Sequence, residues 1–174
     1  MTAQAIGAYG EKSVEAELLR LGWIPANVNA SVKNAADFDI FALKDGRTVH
    51  LRVKACGPGA SEFQFGFRPS LVISGANLSN FDFTILVRMG VTRNDDSFYV
   101  MPTRVLRDII GAHQRSYLAQ PRRDGAPRKD TGHWTLRLQD LKSGEDRPSY
   151  GLAKKWKKYL NNWRSLEGKS KIPS

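Results

Sequence analysis

The chain has 174 residues, of which 41% are apolar and 10% aromatic, so it can bury the core of one domain, and wholesale disorder is excluded. No apolar run approaches the roughly 18 residues of a membrane span, and the first residues lack a secretory signal. The single cysteine, Cys56, excludes an internal disulfide, and together these features predict a cytoplasmic protein. The net charge is +10, and all of the excess lies in residues 104–174. That bias favours a polyanionic partner, usually nucleic acid, although a solvated basic surface is the alternative.

The first half of the chain predicts a helix followed by a β-hairpin. Apolar residues recur at helical spacing over 5–21, and Gly22 is a typical residue to end that helix. The stretch 37–55 has two strand-like runs joined by Asp45-Gly46, a dipeptide typical of a tight hairpin turn.

The second half predicts further strands, a helix, a loop and a closing helix. The strand-like runs are FQFGF, SLVISG, FDFTILVRMG, SFYVMPT and HWTLRL. Thr103 is predicted to cap a helix over 104–112, residues 119–132 a loop rich in Pro, Gly and basic residues, and 150–166 the last helix. There is no internal repeat and no second domain in the pattern. We therefore expect residues 1–174 to form a single α/β (α+β) domain with a central mixed β-sheet flanked by helices.

Charged side chains occupy alternate positions on both strands of the predicted hairpin. They are Asp37 and Asp39 on the first strand, and His50, Arg52 and Lys54 on the second. Carboxylates on a partly apolar face need a cationic partner, which is a Lys, an Arg or a metal ion. A cross-strand salt-bridge patch on an exposed face is the alternative interpretation.

The first helix places an acid near its apolar face. At 100° per residue Glu11 projects close to Leu18, so it can approach the acids of the sheet if the helix docks there. Alternatively, Glu11 is an edge residue whose carboxylate reaches water.

Three sequence motifs together resemble the PD-(D/E)XK nuclease superfamily, the restriction-endonuclease-like fold. They are Glu11 eleven residues before Gly22, Asp39 followed by apolar residues, and Lys54 on the next strand. The chain is most similar to Holliday-junction-resolvase-like and small bacterial members, over about residues 1–56. The resemblance implies that Asp39, Lys54 and Glu11 are catalytic and that Mg²⁺ is held by Asp39 with Glu11 or Asp37. It also implies DNA as the partner, and homodimers are common for such folds.

Arg52 departs from that family pattern, in which an acid or Gln stands two residues before the lysine. An arginine removes a ligand oxygen and supplies a fixed positive charge that binds phosphate. Asp37, Glu11, Glu15 or Glu62 could restore the oxygen. The sequence therefore leaves two main hypotheses: a Mg²⁺-dependent endonuclease acting on duplex or branched DNA, and a non-catalytic nucleic-acid-binding module on the same fold. A protein-interaction domain with incidental basicity is a third.

Basic residues outside the motifs are candidates for contacts with the nucleic-acid backbone. Together with Arg52 and His50, the predicted nucleic-acid-binding residues are Arg122, Arg123, Arg128 and Lys129 in the loop, and Lys154, Lys157 and Lys158 in the last helix. Aromatic residues form a stripe along that helix, which usually means packing against a core. The alternatives are a solvated basic face for the helix and a loop without function.

Overall fold

The computed structural model describes residues 1–28, 38–66, 82–141 and 147–168. In chain order the helices and strands are α1 (Ala3–Arg20), β1 (Ile24–Asn27), β2 (Ile40–Lys44), β3 (Arg47–Cys56), β4 (Glu62–Gly66), β5 (Asp82–Arg88), β6 (Ser97–Pro102), α2 (Thr103–Ala119), β7 (His133–Arg137) and α3 (Leu152–Lys155). Short 3₁₀ turns occupy Arg93–Asp95, Lys157–Tyr159 and Trp163–Glu167. None of the helices in these ranges is long and apolar enough to cross a membrane.

The central sheet is mixed and has the strand order β1-β2-β3-β5-β6. Among the described strands of this sheet, β3 and β5 are parallel and the other neighbours are antiparallel. On one face of the sheet Val14 and Leu18 of α1 are buried in a core cluster with residues of β2, β3 and β5. On the other face, α2 and a second sheet formed by β4 and β7 pack against Leu86 and Met101. The predicted mixed sheet flanked by helices is thereby confirmed.

The predicted helix is present as α1, which begins at Ala3, two residues before the predicted start, and ends before Gly22 as expected; it packs unusually close to β3. The Thr2 hydroxyl accepts a hydrogen bond from the Ala5 amide at 3.2 Å, and Gly22 follows the last turn with a φ of +79°. A Cβ added at Gly10 would lie 2.6 Å from the Ala55 Cβ. Glycine therefore permits the close contact between helix and strand that sets the position of the next residue, Glu11.

The predicted hairpin is also confirmed. Asp45 and Gly46 have φ values of +50° and +73°, as a two-residue turn between twisted strands requires, and they pair Lys44 with Arg47. Ile40 and Ala42 are buried, whereas Phe41 and Leu43 on the opposite side are exposed. The face predicted to carry both acids and large apolar groups is thus the solvent-facing side of this part of the sheet.

Two sequence predictions near α2 need correction, and one strand was not predicted. Thr103 does not cap α2; its hydroxyl pairs with that of Thr84 at 3.0 Å, and α2 begins at Thr103 itself. The helix extends to Ala119 because a buried stripe continues through Ile110 to Gln114. Strand β1 was missed because its four residues include a proline, and the run SLVISG lies outside the described residues.

The predicted continuous helix over 150–166 is wrong. Helix α3 spans only four residues, and two 3₁₀ turns follow it. The helix is interrupted because the chain docks on the edge of β6: Leu160 bridges to Tyr99, and Asn161, with a φ of +52°, exchanges hydrogen bonds with the Phe98 backbone. The aromatic stripe nevertheless packs as predicted, with these residues buried: Leu152, Trp156, Tyr159, Trp163 and Leu166.

Candidate functional site

A cavity of about 780 Å³ lies where the first half of α1 meets the end of β3 and the start of β4. Its polar lining residues are Glu11, Asp39, Arg52, Lys54, Glu62 and Gln64. The fold therefore brings together the three residues that the family resemblance implied, Glu11, Asp39 and Lys54, although they are separated in sequence. Arg52 lines the same cavity.

Asp39 is held rigidly at the entrance to β2. Its backbone amide donates to the Leu51 carbonyl at 2.8 Å, and its Oδ2 accepts a hydrogen bond from the Val53 amide at 2.7 Å. The carboxylate thus accepts the hydrogen bond that a neighbouring strand would otherwise accept from the Val53 amide. Val53 lies between Arg52 and Lys54 on β3. A charged acceptor is stronger than a neutral one, so this contact fixes the carboxylate beside the cations.

Lys54 and Arg52 give the cavity its positive charge. Burial lowers the pKa of Lys54, the neighbouring Arg52 lowers it further, and Asp39 opposes both effects. Within the described ranges, neither Arg52 nor Lys54 forms a hydrogen bond or a salt bridge. In particular, Arg52 does not pair with Asp39. Both cations line the cavity, and no described side chain engages their donors.

Glu11 and Glu15 are tied to β1 through one amide. The Asn27 Nδ2 donates to Glu11 Oε2 at 3.0 Å and to Glu15 Oε1 at 2.8 Å. Lys12 neutralises Glu15 at 2.8 Å, while Glu11 lines the cavity. Glu11 is therefore the helix acid that can face a ligand, and Glu15 helps to hold the Asn27 side chain.

The described side chains do not fit a complete magnesium site. Mg²⁺ needs several oxygen ligands in near-octahedral geometry, but no group of three His, Cys, Asp or Glu side chains in the described ranges could hold a metal ion. One oxygen of Asp39 and one of Glu11 accept amide hydrogen bonds, and Arg52 and Lys54 add two positive charges to the same cavity. Asp37, the third predicted ligand, lies outside the described residues.

The other predicted nucleic-acid-binding residues do not line the cavity. His50 stacks on Phe38 with ring centroids 4.7 Å apart. The predicted loop is confirmed: between α2 and β7 the chain has neither helix nor strand, and it carries Arg122, Arg123, Arg128 and Lys129, of which only Arg128 is half-buried, over the Tyr117 ring. Lys154, Lys157 and Lys158 are exposed, and Lys154 pairs with Asp140 at 2.7 Å.

Gln64 is a cavity residue that the sequence reasoning missed. It is exposed between the buried Phe63 and Phe65, and it lies two residues from Glu62 on the same face of β4. Glu62 pairs across the small sheet with Arg137 at 3.2 Å. The polar position inside FQF was the available signal, but only the tertiary fold places β4 beside the end of β3.

Comparisons with known proteins find similarity among solved structures. No protein-family model matches the chain, and no curated protein matches it. Among solved structures the chain is similar to the bacterial homing endonuclease I-Ssp6803I, with a TM-score of 0.49 and 15% identity over 96% of this chain and 93% of that one.

Proposed function

We propose that this protein binds DNA and holds a backbone phosphate in the cavity between Arg52 and Lys54. One observation carries the proposal: these two cations line the same cavity and have no hydrogen-bonding or ionic partner in the described parts of the chain. A guanidinium presents a planar fork of donors that matches two phosphate oxygens, and an ammonium adds a point charge. Together they form a site for a phosphodiester anion.

The electrostatics of Lys54 support an anionic ligand. Its pKa is lowered because burial and Arg52 both disfavour its charged form. An anion between the two cations would offset their mutual repulsion and would favour the protonated lysine. Bound phosphate should therefore raise the pKa of Lys54. In a structural ion pair the partner would already favour the protonated lysine in the free protein, whereas the pKa of Lys54 is lowered there.

The rest of the charge distribution supports a long polyanion in preference to a single phosphorylated metabolite. The net charge of +10 comes from residues 104–174, and the exposed basic side chains there include residues of α2, of the loop after it and of the segment around α3. Arg122, Arg123, Lys157 and Lys158 can contact successive phosphates without specificity for sequence. We include these surfaces in the DNA-binding site and regard the fold as PD-(D/E)XK-like.

Phosphodiester hydrolysis is the second candidate function. It is favoured by the convergence of Asp39, Glu11 and Lys54 on the cavity that also takes the phosphate. In this case Lys54 and Arg52 would stabilise the charge that develops on the phosphate, and a carboxylate would face the attacking water.

Duplex binding at several salt concentrations tests the first candidate. We expect log K to fall linearly with log salt, and Arg52→Met and Lys54→Met each to reduce that slope by about one. Arg20→Met is the matched control, since Arg20 is exposed on α1 and about 13 Å of helix beyond Glu11. Retention of wild-type affinity and slope by both cavity variants would refute the proposed phosphate site.

Incubation with supercoiled plasmid and branched DNA in Mg²⁺ or Mn²⁺ separates the two candidates. Asp39→Asn is the decisive variant because the amide oxygen still accepts the Val53 hydrogen bond while the charge is lost. Cleavage by the wild type that Asp39→Asn abolishes supports hydrolysis. Retarded migration without cleavage, lost as salt rises, supports binding alone.

A further inference from the structure

Three aromatic rings lie together on the exposed side of the β2–β3 hairpin; we call Phe38, Phe41 and His50 the aromatic patch. His50 stacks on Phe38 with centroids 4.7 Å apart and an angle of 24° between the rings, and Phe41 lies 5.4 Å from His50. Phe41 is 37% exposed, a large fraction for a phenylalanine in an inner strand of a sheet. The patch therefore presents aromatic surface to solvent.

The aromatic patch continues directly into the cavity. Phe41 pairs with His50 across the hairpin, and side chains at alternate positions of a strand share one face at intervals of about 6.6 Å. His50, Arg52 and Lys54 consequently form one row along β3. The rings lie at one end of the row, and at the other end are two cations that form no hydrogen bond or salt bridge within the described parts of the chain.

We propose that Phe41 stacks on an unpaired base of the DNA strand whose phosphate lies in the cavity, an inference that rests on the proposed function. A nucleotide carries a flat aromatic ring and an anion on one flexible unit, which matches the two ends of this row. Stacking accepts any base because every base has a π face. The protein should therefore prefer DNA with an unpaired or extruded base over a fully paired duplex.

Leu43 provides a matched control on the same face. It is 39% exposed, nearly the same fraction as Phe41, and it lies two residues further along β2. Its aliphatic side chain can contact a partner but cannot stack. Phe41→Leu removes the ring and keeps an apolar side chain, whereas Phe41→Tyr keeps the ring, so loss of stacking is separated from loss of folding.

The probe is a single-stranded oligonucleotide carrying 2-aminopurine, compared with its fully paired duplex. We expect wild type and Phe41→Tyr to quench the 2-aminopurine fluorescence on binding. Phe41→Leu should bind the single strand about tenfold more weakly while its duplex affinity stays unchanged. Leu43→Ala should behave as wild type on both probes.

Two results would overturn the stacking proposal while leaving duplex binding intact. The first is an unchanged single-strand affinity and quench for Phe41→Leu. The second is a dimer, seen by sedimentation, that both Phe41→Leu and Leu43→Ala convert to monomer without any change in single-strand binding; this would assign the face to a second copy of the chain. Failure of the wild type to bind either probe at low salt would instead refute the proposed function itself, and the stacking proposal with it.

Discussion

Replacing Gly10 with alanine should destabilise the protein relative to the same replacement at Gly7, one turn earlier in α1. A Cβ at Gly10 would lie 2.6 Å from the Cβ of Ala55, an atom fixed to the backbone of β3, so helix and strand would have to separate. A Cβ at Gly7 would meet no atom within 4 Å. The two variants therefore carry the same replacement in the same helix, and they differ in whether the added Cβ contacts β3.

The magnitude follows from two effects. Both replacements gain helix propensity, about 1 kcal/mol for Gly to Ala. Only Gly10→Ala incurs overpacking against Ala55, typically about 1–3 kcal/mol. Because the propensity gain is common to both, the difference in unfolding free energy between the variants should be about 1–3 kcal/mol, with Gly7→Ala more stable than wild type.

Urea denaturation followed by tryptophan fluorescence measures this difference, and thermal unfolding checks it, since about 1 kcal/mol corresponds to roughly 2–4 °C at this chain length. The double variant Gly10→Ala/Ala55→Gly should show a favourable coupling energy because it removes the contacting Cβ. Equal stabilities for Gly7→Ala and Gly10→Ala would refute the close packing of α1 on β3 and, with it, the stated position of Glu11.

Three further predictions concern the site and the C-terminal segment. Asp39→Ala should lower the unfolding free energy by about 1–3 kcal/mol in urea titrations because the Val53 amide loses its acceptor, whereas Asp39→Asn should cost less. Asn161→Ala should cost about 1–2 kcal/mol and speed hydrogen exchange of the Phe98 amide, since the side-chain acceptor is lost and alanine is strained at a φ of +52°; unchanged exchange would contradict the docking on β6. Lys54→Met should raise stability at neutral pH while weakening DNA binding. The pKa of Lys54 is lowered in the folded state, so the charged lysine destabilises the wild-type fold at low pH. This destabilisation is relieved as the pH rises towards the usual lysine pKa. The difference in unfolding free energy between Lys54→Met and wild type should therefore narrow in denaturation series at rising pH.

Local patterns in the sequence were sufficient where an element is stabilised by its own residues. The apolar spacing of α1 with Gly22 after it, and the Asp45-Gly46 turn with alternating strands on both sides, predicted the first helix and the hairpin. Side-chain period and left-handed turn residues are properties of the chain itself, so these elements could be read directly. The same reasoning did not find the interruption of the last helix at Asn161, because that interruption depends on hydrogen bonds to Phe98, far away in sequence.

The candidate site was only partly predictable for the same reason. Sequence motifs nominated Glu11, Asp39 and Lys54, and the strand period put Arg52 beside Lys54. Gln64 lines the cavity only because the tertiary fold places β4 beside the end of β3, and no local sequence pattern encodes that placement.

The sequence by itself determined the first helix, the hairpin, the charge bias and the row of cations on β3, since these follow from residue type and period. The tertiary structure decided how the row is used. The Asp39 carboxylate caps the Val53 amide and does not pair with Arg52. Charge alone would allow Asp39 to pair with Arg52 or Lys54, but contacts between distant segments place its carboxylate on the Val53 amide. Arg52 and Lys54 consequently line the cavity without a salt bridge to Asp39.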